Sequence, residues 1–592
     1  MLIRIIRVNL WFLPKTKLYI KFMKQIIQTT LAVLLCATTL SGCYDLDRVP
    51  SNQLSSLSFY KNQTHADEAM MGVYAVMRND YLMGLEFVFD ALGGISMSYD
   101  SWTFPDIQVG TYDANHGKMF SKFQTTYEAI ARANLVIQNT DRTDMSDDLK
   151  ARYKGEARFM RGLYYFYLLR LWGGVPIYDE NTIVAEKFNE MMEPRSSAAE
   201  VSAFIIKDLE MAADVLPEQW DAANLGRATR SAAQALMGKV YLYDKQYQKA
   251  SECFAQVINS GLHQLYPVYA DLFKQTADNS SEIIFAIQTT SGATSDIGLP
   301  FGFRLGTRST YGSSGNNVLA ASSFVETYEY KDGRPFSWDE MFPGFSTNDN
   351  VKKQTFRCSF DKNKHKVITY PASKPKLLEM YEQRDPRMMA SIIMPYTHYL
   401  GWANNAAIDC EYVICGGSVS SPGWGYIQVN SGREAFLWRQ FVPEGDMNGQ
   451  LVSRNSTPIN FPLIRYADVL LMQAECLNEL GKQEEAVALI NQVRQRAGVA
   501  LLNNGSEWTK ATTKQEVFDR IKHERAVELA CEGHRFHDLK RWGLLETLNG
   551  HRECDMTGTF RYTRKVTERD YLWPIPNSEI EKNPALTQNP GW

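Results

Sequence analysis

Met237-Gly238-Lys239-Val240-Tyr241-Leu242-Tyr243-Asp244-Lys245-Gln246-Tyr247-Gln248-Lys249-Ala250-Ser251-Glu252-Cys253-Phe254-Ala255-Gln256-Val257 reads as two helices about a tight turn. Apolar residues recur every three or four positions on both sides of Asp244-Lys245-Gln246, the spacing of one helix face. Gly238 and Ala250 are small, so the paired axes can approach closely while Tyr241, Phe254 and Val257 fill the flanks. Residues 465–497 repeat this outline, with Tyr466, Leu470 and Ala474 on one helix, Gly481 at the turn, and Ala486, Ile490 and Val493 on the next. A third amphipathic helix runs from Lys514 to about Cys531, and residues 65–90, 119–138, 147–172 and 196–216 carry the same helical spacing.

Small and aromatic residues in this order resemble the two-helix tetratricopeptide repeat. Between Ile287 and Pro462 the texture changes to Gly, Ser, Asn, Pro and aromatics, with short strand-like runs at 411–414 and 426–429. The expected fold class is therefore mostly α, with tetratricopeptide-like helical repeats and a long loop-rich insertion carrying short β-strands. Long loops in a compact body usually carry function. The whole chain has 592 residues, 44% of them hydrophobic and 22% charged, which excludes a largely disordered or fibrous protein. A net charge of -4 is too small, and of the wrong sign, for a nucleic-acid partner held by a general basic field.

That charge is uneven. The first 42 residues hold Arg4, Arg7, Lys15, Lys17, Lys21 and Lys24 and no acid, so the chain from Cys43 onward has 57 basic against 67 acidic residues, or -10. Read from Met23, the order is Lys24, then the apolar stretch Leu31-Ala32-Val33-Leu34-Leu35-Cys36-Ala37, then Leu40-Ser41-Gly42-Cys43. The apolar run is too short to span a bilayer, and small residues precede the cysteine, as in an export signal. Leu-Ser-Gly-Cys resembles the bacterial lipobox, which implies acylation of Cys43 and an outer-membrane lipid anchor. Residues 1–22 fit no part of such a signal, so Met23 is the expected initiator of a 1–42 leader. The seven cysteines beyond Cys43 are odd in number and irregularly spaced, a poor disulfide framework; Cys410 and Cys415 could pair in an exported protein, while Cys253, Cys476 and Cys531 sit in apolar helical patterns as core thiols.

Catalytic motifs fail one after another. His523-Glu524 is followed at the fourth position by Val527, not a second histidine, and Gly312-Ser313-Ser314-Gly315 has the wrong spacing for a nucleophile elbow. His534 and His537 beside Arg535 and Asp538 suit a structural pair better than a metal site, and Glu524, Glu528 and Glu532 read as a salt-bridged stripe that Arg525 and Arg535 neutralise. No cofactor is expected. The loops offer aromatic and amide chemistry: Tyr99, Asp100, Trp102, Phe104 and Asp106; Trp402, Asn404 and Asn405; Trp424 and Tyr426. Sugars present apolar C–H faces that pack on aromatic rings, and hydroxyls that pair with amides and carboxylates.

Several segments then coincide with one family. Gly155-Glu156-Ala157-Arg158-Phe159-Met160-Arg161-Gly162-Leu163-Tyr164-Tyr165-Phe166, running to Leu171-Trp172-Gly173-Gly174-Val175-Pro176, resembles the most recognisable stretch of the SusD/RagB family of outer-membrane nutrient-binding lipoproteins of Bacteroidetes. So do Gly226-Arg227-Ala228-Thr229, Ser281-Glu282-Ile283-Ile284-Phe285, Asp385-Pro386-Arg387, Pro462-Leu463-Ile464-Arg465-Tyr466-Ala467-Asp468, Glu524-Arg525-Ala526-Val527-Glu528, Glu532-Gly533-His534-Arg535 and Trp573-Pro574-Ile575-Pro576. The resemblance implies a leader at 1–42, a helical region at 43–288, a ligand-binding insertion at 289–460 and a helical region at 461–592 that packs with the N-terminal part as one body. It also implies a non-enzymatic protein at the cell surface that captures a glycan and passes it to a SusC-like TonB-dependent transporter. Peptide binding on the same fold is the alternative, and a glycoside hydrolase a more distant one. Tyr99, Asp100, Trp102, Phe104, Trp402, Asn404, Trp424 and Tyr426 are the candidate ligand residues; Glu156, Arg158, Arg465, Glu528, Arg535 and Trp542 look like scaffold. Phe123 stands where the family often has Trp, which reads as a packing change.

Overall fold

The computed structural model describes residues 23–24, 59–100, 103–182, 192–290, 297–419 and 422–592. The chain divides into two units, Met1–Tyr60 and Lys61–Trp592, and everything below concerns the second. The leader and the lipid-attachment expectation at Cys43 lie outside the described residues, as does Trp102.

Among the described residues, ten helices carry the body: α1 (Gln63–Ala75), α2 (Gly117–Asn139), α3 (Asp147–Trp172), α4 (Ala198–Val215), α5 (Arg230–Tyr243), α6 (Tyr247–Asn259), α7 (Tyr466–Glu479), α8 (Gln483–Ala497), α9 (Lys514–Glu528) and α10 (His534–Arg541). Their starts follow from local chemistry. Ser197 and Thr513 close capping boxes with Glu200 and Glu516, and Ser146 and Thr229 accept from the backbone N–H three residues on, those of Leu149 and Ala232. From α2 onward each helix packs on the next through α6, and α6 then packs on α7 across the whole insertion. The close approach of α5 and α6 requires Gly238: a Cβ there would stand 2.6 Å from the Phe254 ring. Helix α3 is buried on nearly every side, and Trp172 at its end meets Phe123 and Trp573 edge-on, with Nε1 donating to the Pro574 carbonyl. Phe123 is therefore a core residue, as its packing-change reading expects.

Several boundaries differ from the sequence reading. The 65–90 pattern yields a long helix only to Ala75, then a chain of short helical turns to Leu92; a Cβ at Gly84 would stand 2.5 Å from the Arg78 carbonyl, so the fold-back there needs glycine. Helix α9 stops at Glu528, and Cys531 and Gly533 adopt left-handed conformations that turn the chain into α10. The described strands pair two by two, among them β1 (Ser96–Ser98) with β3 (Val318–Ala320), β6 (Ile392–Ile393) with β9 (Leu437–Trp438), and β7 (His398–Ala403) with β8 (Ala406–Glu411), a hairpin closed by Asn404 and Asn405 at positive φ; of the strands expected at 411–414 and 426–429, Glu411 ends β8 and the rest reduces to isolated bridges. Such paired left-handed residues make the tight turn that matches strand twist.

The insertion leaves and re-enters the body through one antiparallel pair, β2 (Ile283–Ile287) and β10 (Phe461–Arg465), with Phe461 opposite Ile287. Buried ion pairs hold it down. Arg387 and Glu329 of the insertion reach the C-terminal helices, Arg387 pairing with Glu524 and Glu528 at 3.0 Å and Glu329 with Arg494. Arg465 contacts Glu282, Glu528 and Glu532, each at 2.8 Å. The glutamate stripe of α9 is thus salt-bridged as expected, but its partners come from other segments. Arg525 instead binds Asp468 and Asp538, and Arg535 donates to the Lys522 carbonyl. Breaking one side of such a buried pair typically costs about 3–5 kcal/mol.

Cys253, Cys476 and Cys531 are buried thiols. Cys410 and Cys415 do not bridge: their sulfurs point to different carbonyls, those of Ile408 and Gly417.

Candidate functional site

The aromatic residues of the loops fall into two classes. Phe104 is buried, its ring packed against Phe89 and Trp573, and φ of 56° places it at the left-handed entry to a short helical turn. Phe104, expected as a ligand residue, is therefore a core residue whose ring is withdrawn from the surface. Asn404 is a hairpin-turn residue, exposed at the β7–β8 tip. Tyr99, Asp100, Trp402 and the backbone of Tyr426 gather round one loop, residues 301–317, while Trp424 stands on His365.

Arg304 and Asn317 of that loop both reach the Asp100 carboxylate, at 3.3 and 2.6 Å. Tyr99 donates its backbone N–H to the Asn317 carbonyl, and the Arg433 guanidinium lies 4.0 Å from the centre of the Tyr99 ring. Burial pushes the Tyr99 hydroxyl up to about 12, so it stays protonated and able to donate. Farther along the loop, the Ser309 carbonyl accepts from the Trp402 N–H at 2.8 Å, and its hydroxyl meets the 426–428 backbone. Gly401 permits this: a Cβ there would come within 2.6 Å of the Ser309 carbonyl. The Trp402 ring stands 5.5 Å from Tyr311, tilted by 46°.

Trp424 is the most exposed aromatic of the set, with 56% of its surface accessible. Its ring stacks on His365 at 4.4 Å and 15°, close to parallel, leaving the opposite indole face open. His365 comes from the turn between β4 (Ser359–Asp361) and β5 (Lys366–Thr369), at φ of 50°. Tyr426 is half-buried, edge-on to Phe360, its hydroxyl accepting from the Val367 N–H at 3.3 Å. Beside it, Tyr370 donates to Glu411 at 2.6 Å while Lys374 Nζ sits over its ring. Tyr311, His365 and Tyr370 escaped the sequence reading. Tyr311 lies within the glycine- and serine-rich stretch that marks the loop, whereas nothing in the sequence pairs His365 with Trp424.

Among the described residues, one group of acids and histidine could gather round a cation: Glu329, His523 and Glu524. Arg494, Arg520 and Arg387 already neutralise those carboxylates, and Arg387 and Arg494 hold Glu524 down to about 2, so the donors are spent on guanidinium groups. His534 and His537 are buried, with desolvation lowering His534 to about 3, and His537 packs on Phe89. Neutral imidazoles beside arginine-bound acids are core residues of α10.

A sequence profile described as "SusD family" matches residues 281–592, and a second, described as "Starch-binding associating with outer membrane", matches residues 46–242. The chain belongs to the SusD family. Among its relatives, SusD-like protein P25 of Formosa agariphila is 25% identical over 92% of this chain and 94% of its own. The starch-binding protein SusD of Bacteroides thetaiotaomicron is 27% identical, covering 78% of this chain and 76% of that one. A solved SusD-like carbohydrate-binding protein of Bacteroides fragilis superposes with a TM-score of 0.71 at 24% identity, over 90% of this chain and all of that one. The mostly helical, tetratricopeptide-like architecture is thus that of the family.

Proposed function

We propose that this SusD-family protein is a non-enzymatic glycan receptor of the outer cell surface. Its ligand face is the surface built on residues 301–317, with Tyr99, Asp100, Trp402, Trp424 and Tyr426 as principal groups and Trp102 and Cys43 retained from the sequence as platform and lipid-anchor residues. One observation carries the reading: Trp424 offers an open, parallel-stacked indole face to solvent. An exposed aromatic held rigid by a stacked neighbour loses little entropy on packing a pyranose ring, and the Asp100–Arg304–Asn317 group of the 301–317 loop adds polar groups that can meet hydroxyls. The starch-binding relative and the carbohydrate-binding structural neighbour favour a glycan over a peptide.

Binding is reversible stacking plus hydrogen bonding, with no covalent step. A SusC-like TonB-dependent transporter receives the glycan, and the acylated Cys43 keeps the receptor beside it. Support for the anchor is the Leu40-Ser41-Gly42-Cys43 motif and the matching outer-membrane-associated profile. A panel of starch, β-glucan, fructan, pectin and host-type oligosaccharides, set beside a peptide panel, tests the proposal. Retention of at least one glycan with no release of shorter products is expected. Binding to peptides alone, or turnover of a bound glycan, would contradict it.

A further inference from the structure

Two cysteines meet across a parallel β-bridge of the insertion. Arg357 pairs with Ile414 there, and the Cys358 N–H donates to the Ile414 carbonyl at 2.8 Å. Extending that register by one step sets Cys358 opposite Cys415, and opposed residues of parallel strands send their side chains to the same face. Strands so paired run about 4.8 Å apart, inside the Cα separation of about 4.4–6.8 Å that a disulfide spans. Both residues are thiols in this structure, Cys358 buried and Cys415 half-buried, its sulfur 3.3 Å from the Gly417 carbonyl. Burial pushes the Cys358 thiol up to about 12, and Cys415 adds to the rise, as a second sulfur within electrostatic reach does. Burial raises Cys415 as well, but the Gly417 backbone, Lys362 and Arg357 work against it, which makes Cys415 the readier thiolate.

The pair stands at the root of the stacked aromatic platform. Strand β4 begins at Ser359, directly after Cys358, and its turn into β5 carries His365. The chain beyond Cys415 leads to the Pro422–Trp424 turn, whose indole stacks on His365. Beyond the bridge, the ties between these two segments are non-covalent: that stack, Phe360 edge-on to Tyr426, and the Val367 N–H donating to the Tyr426 hydroxyl at 3.3 Å. A covalent link at the root would limit how far the stacked rings can drift apart, and a preorganised platform has less ordering left to lose when a ligand arrives. Disulfides form and persist outside the reducing cytoplasm.

We infer that Cys358 and Cys415 are a disulfide-forming pair whose bond, made outside the cytoplasm, fastens the two segments that bring His365 and Trp424 together. The inference rests on the cell-surface reading above, which supplies the oxidising surroundings. The Cys415 thiolate attacks the disulfide of a small-molecule or protein donor and releases one donor thiol. The Cys358 thiolate then attacks the Cys415 sulfur of that mixed disulfide and releases the second. Two protein thiols give up two electrons and two protons, and the donor disulfide ends as two thiols. Incubation of the reduced, folded chain with oxidised glutathione, followed by digestion without reductant and mass-spectrometric mapping, tests the bond. A peptide pair linked through Cys358 and Cys415 is expected from wild type and from neither Cys358→Ser nor Cys415→Ser. Oxidation should raise the wild-type Tm by about 2–4 °C and leave both variants unmoved. Amide hydrogen exchange over residues 359–369 should slow by about threefold or more in oxidised wild type alone. Thiols that stay free in the folded chain, or a link from Cys415 to Cys410 instead, overturn the pair; a mapped link with unchanged exchange over 359–369 overturns its hold on the platform. None of these readouts uses a ligand, so their failure leaves the glycan receptor standing, and silence across the glycan panel leaves the disulfide standing.

Discussion

Phe104 and Trp424 arise from similar polar, non-periodic sequence, yet one is 7% and the other 56% exposed. The difference is set by what folds over them: Trp573, near the far end of the chain, covers Phe104, while Trp424 stacks on His365 and stays half exposed. Local sequence carries the residue type and cannot carry that distant cover. Asn404, expected as a ligand residue, stands with Asn405 in the β7–β8 turn, a place that an Asn-Asn pair between strand-like runs favours. Truncating the two aromatics should separate them cleanly. Phe104→Ala is expected to destabilise by about 3–5 kcal/mol in chemical denaturation, whereas Trp424→Ala should change stability by less than about 0.5 kcal/mol.

Among the elements, the paired helices are the most legible part of the molecule, because spacing and small residues act locally. Gly238 against Phe254 is the contact that the sequence pattern foreshadows, and its 2.6 Å clearance is testable. Gly238→Leu should overpack the α5–α6 seam and lower stability by about 1–3 kcal/mol or more, read as a drop in Tm, despite leucine's better helix propensity. The insertion is less legible: the strands that bound it, β2 and β10, pair from its opposite ends, and its hold on the body depends on Arg387 and Glu329 finding α8 and α9 in space. Composition marked the segment as functional loops but could not assign its hairpins.

Over the whole molecule, buried charge sets the pH response. Arg387 and Arg494 hold Glu524 at about 2, below its ordinary 4.5, so its stabilisation is present above about pH 4.5 and is lost as pH falls toward 2. Asp90 behaves in the opposite sense. Desolvation raises it from 3.8 to about 7, so its contribution is present below about pH 4 and is lost as pH rises to 7. Thermal denaturation of Asp90→Asn against wild type should therefore show a gap that moves in the variant's favour between pH 4 and 7 and then stays level; a gap independent of pH would contradict the assignment. Neither group was separable in sequence from the many surface acids, because burial is a property of the assembled body. What the sequence did carry at this scale is the ordered run of family segments from Gly155 to Pro576, which the SusD-family match over residues 281–592 bears out. The central claim is that exposed aromatics on the insertion bind a glycan. Isothermal titration of the best glycan from the panel against wild type, Trp402→Ala and Trp424→Ala tests it most directly. The expected result is at least a tenfold loss of affinity in one or both variants, about 1.4 kcal/mol, with unchanged Tm. Undiminished affinity in both variants would contradict it.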